Sequence, residues 1–342
     1  MLPSTQDGQD LSPAATFRRT GRGNLTHMRV LLWHLHGSWT DAFVRGRHHY
    51  LVVDDGPQRW PDGVEQVGRE QLRDSRPDVV VFQRPDEPER FARAFGVEAG
   101  SVGKIYLEHN TPDGPAATSR HPMADRDDLL LVHVTWFNQL MWDSGTTPTV
   151  VIEHGIPDPG YRYTGEFGRQ AAVINEAGRR GRAVGADLLP MLAEAAPIDL
   201  FGIDADRYTA ENRGAEVTAA GNLDLEQLHT EMARRRLYLH TSRWTSLGLS
   251  LIEAMHLGMP VVALAATEAP RAVPPGTGVV SNDPGRLVET IEMLIKNPEL
   301  ARSLGEAARA HALEHFGLGR FLADWDEVLE DCRRVPRRAP AQ

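Results

Sequence analysis

Tyr238-Leu-His-Thr-Ser-Arg-Trp-Thr-Ser-Leu-Gly248-Leu-Ser-Leu-Ile-Glu253-Ala-Met-His-Leu-Gly258-Met-Pro260-Val-Val-Ala263 reads as strand, short polar loop, helix, stop and strand. Gly248 and Leu249 open the helix, so backbone N–H groups without an intrahelical partner face whatever lies in front of them. That is a site for a phosphate or diphosphate. Glu253 falls about one and a half turns further in, where a carboxylate reaches sugar hydroxyls while phosphates stay at the mouth. Gly258 and Pro260 end the helix. The arrangement predicts a nucleotide-diphosphate site in an α/β sheet.

The flanking sequence repeats this alternation. Apolar runs at Ala172–Ile174, Ile198–Phe201, Leu237–Leu239, Val261–Leu264 and Gly278–Val280 are separated by helix-length segments at 186–195, 224–235, 247–257 and 284–295. Asp283 before Pro284 is a good N-cap with proline in the first turn. An earlier series runs through Arg29–Trp33, Tyr50–Val53, Asp78–Phe82, Lys104–Leu107, Leu129–His133 and Val150–Ile152, with helices predicted at 63–75, 87–95 and 136–143. Short apolar runs alternating with helices imply parallel sheets covered on both faces. The Pro/Gly-rich stretch Gly155-Ile-Pro-Asp-Pro-Gly160 separates the two series. Residues 1–27 lack periodicity and are read as a disordered leader, with Met28 an alternative start. The segment from Pro298 to Cys332 is read as two helices broken near Phe316-Gly317.

Composition narrows the function. The 342 residues carry a net charge of −10, which argues against a general nucleic-acid binder. A single cysteine, Cys332, excludes an internal disulfide framework and any cysteine-based zinc site. No apolar run approaches the roughly 20 residues of a membrane span, and no secretory signal is read in the first 27. The expected location is cytoplasmic, with membrane contact at most peripheral. His34, His36, His48 and His49 lack a carboxylate partner at helical spacing, so no metal site is expected.

The opening stretch resembles the signature of retaining glycosyltransferase family 4, in the positions Ser242, Gly248, Leu249, Glu253, Ala254, Met255, Gly258, Pro260, Val261, Val262 and Ala263. Gly178-Arg179, the helix start Gly185-Ala-Asp-Leu-Leu189, the hinge-like Val151-Ile-Glu-His-Gly-Ile-Pro157 and the closing helices from Asn297 to Phe316 are similar as well. The resemblance implies an α/β architecture of the GT-B type: two Rossmann-like domains facing across a cleft, with a C-terminal helix crossing back to the first. The implied division is 28–155 for an acceptor domain, 156–315 for a nucleotide-sugar donor domain and 316–342 for the returning helix. Three positions depart from the family pattern. Thr245 stands where a carboxylate is usual, Val184 where a lysine is usual, and Thr267-Glu268 where two glycines are usual.

The implied activity is metal-independent, retaining transfer of a sugar from a nucleotide-diphosphate donor to a small-molecule or glycan acceptor, with no cofactor beyond the donor itself. The candidate donor contacts are Gly37, Arg179, Arg182, Thr245, Gly248, Leu249 and Glu253. The candidate catalytic residues are His109, which resembles the histidine under the transferred sugar, and Arg179, whose guanidinium stabilises the departing diphosphate. Arg180 or Arg182 stands in for the missing lysine. Two alternatives stay open: a catalytically silent nucleotide-sugar-binding protein of the same fold, and a nucleotide-sugar epimerase. The second requires an acid/base carboxylate pair that the sequence does not display.

Overall fold

The computed structural model describes residues 27–334 apart from residues 36, 55, 57 and 58. The expected leader therefore lies outside the described residues as far as residue 26, as do His36 and positions 335–342 of the expected C-terminal segment.

The first sheet contains β1 (Arg29–Trp33), β2 (His49–Val53), β3 (Val64–Val67), β4 (Val79–Phe82), β5 (Gly103–Glu108), β6 (Leu130–His133) and β7 (Thr149–Val151). Their spatial order is β3-β2-β1-β4-β5-β6-β7, and the pairings are parallel. The second sheet contains β8 (Phe167–Val173), β9 (Ile198–Phe201), β10 (Val217–Gly221), β11 (Arg235–His240), β12 (Val261–Leu264) and β13 (Gly278–Ser281), in the order β10-β9-β8-β11-β12-β13. This sheet is parallel too. Each sheet reverses its direction of growth beside its first strand, between β1 and β4 and between β8 and β11. In a doubly wound sheet, that reversal opens a crevice beyond the carboxyl ends of the strands.

The central strands are apolar along their whole length because helices cover both faces. Val79–Phe82 and Ile198–Phe201 are buried at every position. Two strands differ from the expectation for the same reason. β3 lies at a sheet edge, and its Val-Glu-Gln-Val pattern leaves two side chains exposed. Glu and Gln are good helix formers, so the segment reads as the start of a helix; only Arg69–Ser75 coils, as a 3₁₀ turn. β10 lies at an edge of the second sheet and is half-buried, without the unbroken apolar run of a central strand.

The last two helices run Pro298–His315 and Leu318–Arg334, with the break at Phe316-Gly317. The second crosses back to the first sheet. Its Phe321, Trp325, Val328 and Leu329 share one core with Val30, Leu32, Ile105 and Leu107. Burial of such side chains contributes about 1.5–3 kcal/mol each, so this helix is part of the first domain's core. Arg320 ties it to the chain between the sheets, donating to the carbonyls of Glu153 at 2.8 Å and His154 at 2.6 Å. No helix among the described residues is long and apolar enough to cross a membrane.

Candidate functional site

The helix Leu249–Leu257 follows β11 as expected. Gly248 is its N-cap, with extended backbone and no side-chain capping bond. The first-turn amides therefore face outward without a side chain competing for them. Residues 251–257 are all buried, so the helix sits inside the second domain and only its start reaches the surface. Gly258 ends it in the left-handed region at φ 88°, its N–H bonded to the carbonyls of Ala254 and Met255.

That start opens into a cleft of about 420 Å³ lined by both domains. From the second domain come Asn175 and Arg180 after β8, Leu225 and Leu228, then His240, Ser242, Thr245, Gly248, Leu249 and Glu253. From the first come Ser38 and Trp39 after β1, His109 and Asn110 after β5, and His154 after β7. The cleft thus lies at the β8/β11 reversal of the second sheet, opposite strand ends of the first. Glu253 is 6% exposed and lines the cleft behind the helix start.

Two loops of the second domain are stitched together to form this wall. Thr241 donates its hydroxyl to the Val184 carbonyl at 2.8 Å, and the amides of Arg243 and Trp244 donate to the Ala183 carbonyl at 2.9 and 3.0 Å. Gly185 permits the approach. Its φ is +69°, and a Cβ there would lie 2.0 Å from the Thr241 carbonyl oxygen. Val184 is buried in this seam, so the position where a lysine is usual supplies packing and no charge.

The arginine cluster resolves differently from the expectation. Arg179 lies outside the cleft lining, with a 68% exposed side chain paired to Glu176. Arg182 is 77% exposed and bonds to Asp187 at 2.8 Å, a carboxylate it shares with Arg243. Both candidates are turned away by local carboxylates. Arg180 is the cation that lines the cleft. Burial first, and then the neighbouring Arg179, push its pKa down from the ordinary guanidinium range. Guanidinium keeps its charge through such a shift, and a bound anion relieves both penalties.

Gly37 also moves from its expected role. The segment after β1 is a short helix, Gly37–Phe43, and not an open loop. Burial of Trp39, Thr40, Ala42 and Phe43 drives it, Trp39 stacking on Phe43 at 4.7 Å and meeting Trp325 of the returning helix at 5.6 Å. Ser38 and Trp39 line the cleft in place of Gly37.

His109 is held from two sides. Its Nε2 lies 2.8 Å from the Gln83 side-chain oxygen, and its ring meets Trp39 edge-on at 5.4 Å. Gln83 is fixed in turn by donating to the Trp33 carbonyl at 2.7 Å, while its own amide donates to Glu87 at 2.6 Å. Burial pushes the Glu87 carboxyl up to about 7. Thr245 lines the cleft with its hydroxyl directed to the Ser246 carbonyl at 2.9 Å. His240 ends β11 beside Gly248, its Nε2 buried without a hydrogen-bond partner among the described residues. Burial lowers its pKa to about 4, so the ring is neutral near pH 7.

The domains also touch beside the cleft. Trp244 donates to the Pro112 carbonyl at 2.7 Å, and Asn138 donates to the Ser246 hydroxyl at 3.3 Å. Glu268 accepts the Phe137 amide at 2.8 Å, at the start of the helix Trp136–Met141. One half of the Thr267-Glu268 departure is thereby explained, because Glu268 supplies an interdomain cap that glycine lacks. Thr267 keeps the left-handed backbone of a glycine at φ 52°. Among the described residues, no group of three or more His, Cys, Asp or Glu is arranged to hold a metal ion. His34, His48 and His49 instead pair singly with Asp54, Asp326 and Glu65.

Residues 206–311 match the family model "Glycosyl transferases group 1". That segment contains Thr245, Gly248, Leu249 and Glu253, so the helix start lies within the part of the chain that is similar to this family. The chain is 28% identical over 280 residues to the D-inositol 3-phosphate glycosyltransferase of Streptomyces coelicolor, covering 74% of this chain and 61% of that protein. It thus spans less than two thirds of the relative's length. Among solved structures it resembles sucrose-phosphate synthase from Thermosynechococcus elongatus (TM-score 0.69, 14% identity, 89% of this chain and 99% of that one). It also resembles Anabaena HepE in complex with UDP and glucose (TM-score 0.69, 17% identity, 89% of this chain and 100% of that one). The fold is GT-B: two parallel α/β domains across a cleft with a returning C-terminal helix.

Asn175 and His240 line the cleft without any motif in the sequence that marks them, and Arg180 is marked only as one of two alternatives. Nothing in the spacing separates Arg180 from Arg179, since both follow β8 in an exposed-looking run.

Proposed function

We propose that this chain is a retaining glycosyltransferase that moves a sugar from a nucleotide-diphosphate donor, held by residues 156–315, to a hydroxyl acceptor presented by residues 28–155. The observation that carries this reading is the shared cleft, in which the helix start at Gly248, Arg180 and Glu253 face Ser38, His109 and Asn110. The diphosphate lies against the amides of Leu249 and Ser250 and the Arg180 guanidinium. Glu253 accepts hydrogen bonds from the ribose hydroxyls.

The acceptor oxygen attacks the anomeric carbon on the face from which the diphosphate departs. A new C–O bond forms, the bond to the phosphate oxygen breaks, and the acceptor proton passes to a diphosphate oxygen. The products are a glycoside of unchanged anomeric configuration and a nucleoside diphosphate. Charge gathers on the leaving group, where Arg180 and the helix start stabilise it without a metal ion. His109, immobilised by Gln83 and Trp39, supports the transferred sugar. The interdomain contacts at Trp244, Ser246 and Glu268 hold the cleft closed, which limits access of water to the donor.

The first-domain wall offers hydroxyl, amide and imidazole groups, and none of its described lining residues is a lysine or arginine. This favours a small uncharged polyol or sugar as acceptor over a phosphorylated one. A binding-only reading draws on Val184 and on the engagement of Thr245 with Ser246. An epimerase reading has little support, because Glu253 is the one carboxylate among the described lining residues. The test is incubation with UDP-, GDP- and ADP-sugars and a panel of free sugars, polyols and D-inositol 3-phosphate, followed by NMR of the anomeric centre. Transfer with retention, unchanged by chelator, supports the proposal; inversion, epimerised donor, or donor binding without turnover contradicts it.

A further inference from the structure

The geometry points to His229 as a positioning residue that aims Glu253 at the nucleotide ribose, an inference that rests on the donor reading above. His229 lies on the helix Leu225–Ala233, whose N-cap Asp224 accepts the Gln227 amide at 2.9 Å. Leu225 and Leu228 of the same helical face line the cleft. His229 lies beside them, turned inward against the helix Leu249–Leu257.

There it is 6% exposed, and its Nε2 is buried with no hydrogen-bond partner among the described residues. The nearest charged atom is Oε2 of Glu253, 3.6 Å away. No other cationic side chain makes an ion pair with Glu253 among the described residues.

The ring is incomplete alone, because a buried nitrogen without a partner is costly, whereas Glu253 also borders the cleft. A shift of a few tenths of an ångström brings the pair into hydrogen-bond range. The acceptor opposite assigns the hydrogen to Nε2, which then donates to Oε2. That leaves Oε1 and the second lone pair of Oε2 for two vicinal hydroxyls in the cleft that Glu253 lines. His229 touches no ligand in this arrangement. It sets the rotamer of the group that does, as the partners behind metal-binding side chains do.

The test is calorimetric titration of the full chain with uridine, guanosine and adenosine diphosphates, each against its 2′-deoxy counterpart. Wild type should prefer the tightest ribonucleotide over its deoxy form by about tenfold, one charge-assisted hydrogen bond. His229→Phe keeps a ring of similar size without the donor, and should shrink that preference to about twofold. His229→Gln restores an N–H donor and should recover most of it. If His229→Phe does not fold, His229→Ala gives the same comparison. A full preference in the donor-less variant, or a rescue no better than Phe, overturns the role of His229 and leaves the donor reading standing. Equal binding of ribo and deoxy forms by wild type also overturns it. Failure of wild type to bind any of the diphosphates removes the donor reading itself.

Discussion

The two walls of the cleft are made in different ways. The second-domain wall is a helix start and two loops sewn backbone to backbone, with Gly185 against Thr241 and Ala183 accepting two amides. The first-domain wall is a set of side chains at separate strand ends, each braced from behind: Trp39 by Phe43 and Trp325, His109 by Gln83, and Gln83 by Glu87. A wall of backbone amides suits a ligand whose charged part is constant, such as a diphosphate. A wall of braced side chains suits one that varies between proteins.

The contrast predicts how substitutions divide. Glu253→Ala should lower kcat/KM for the donor by at least about a hundredfold, since an ionised acceptor of two hydroxyl hydrogen bonds is lost. Steady-state kinetics check this, and an effect confined to the acceptor KM breaks the division. Gly185→Ala should destabilise the second domain by about 2–4 kcal/mol, through strain at positive φ and collision with the Thr241 carbonyl. A melting temperature within about 1 °C of wild type contradicts the seam.

Arg180→Ala should weaken donor binding by about tenfold or more, and Arg179→Ala by less than about twofold. The reverse order would return the diphosphate to the arginine that faces solvent here.

The first wall carries a pH signature. The raised Glu87 carboxyl pKa means that the folded state holds this proton more tightly than the unfolded chain. The resulting stabilisation is complete below the ordinary carboxylate pKa and is lost as pH rises through about 7. Wild type should lose stability relative to Glu87→Gln between pH 5 and pH 8, measured as denaturant midpoints at each pH. Parallel curves would place Glu87 in an ordinary carboxylate environment. The smallest effect is expected at Thr267→Gly. Relief of a left-handed threonine should stabilise by about 1 kcal/mol, visible as a rise of a few degrees in melting temperature.

The same contrast explains what could be read without coordinates. Central strands and the helix Leu249–Leu257 were legible because their periodicity, caps and stop residues all agree. Of the four edge strands, β7 and β13 keep an apolar run and were legible, whereas β3 and β10 were not, since the Glu-Gln pair of β3 and the Thr-Ala-Ala of β10 dilute the apolar signal. Gly248, Leu249, Thr245 and Glu253 were placed in the cleft by a continuous segment. The first wall depends on residues far apart in sequence: His109 lines the cleft as expected, whereas Gly37 does not and its neighbours Ser38 and Trp39 do. The choice among Arg179, Arg180 and Arg182 depended on which found local carboxylates. Glu176 and Asp187 occupy two of them, and that pairing is tertiary information.

The most direct measurement is a crystal structure of the chain with a nucleotide-diphosphate sugar that it turns over. The account predicts diphosphate oxygens within hydrogen-bond distance of the Leu249 and Ser250 amides and the Arg180 guanidinium, with both ribose hydroxyls on Glu253. A diphosphate seated elsewhere, or a ribose that leaves Glu253 untouched, would contradict it.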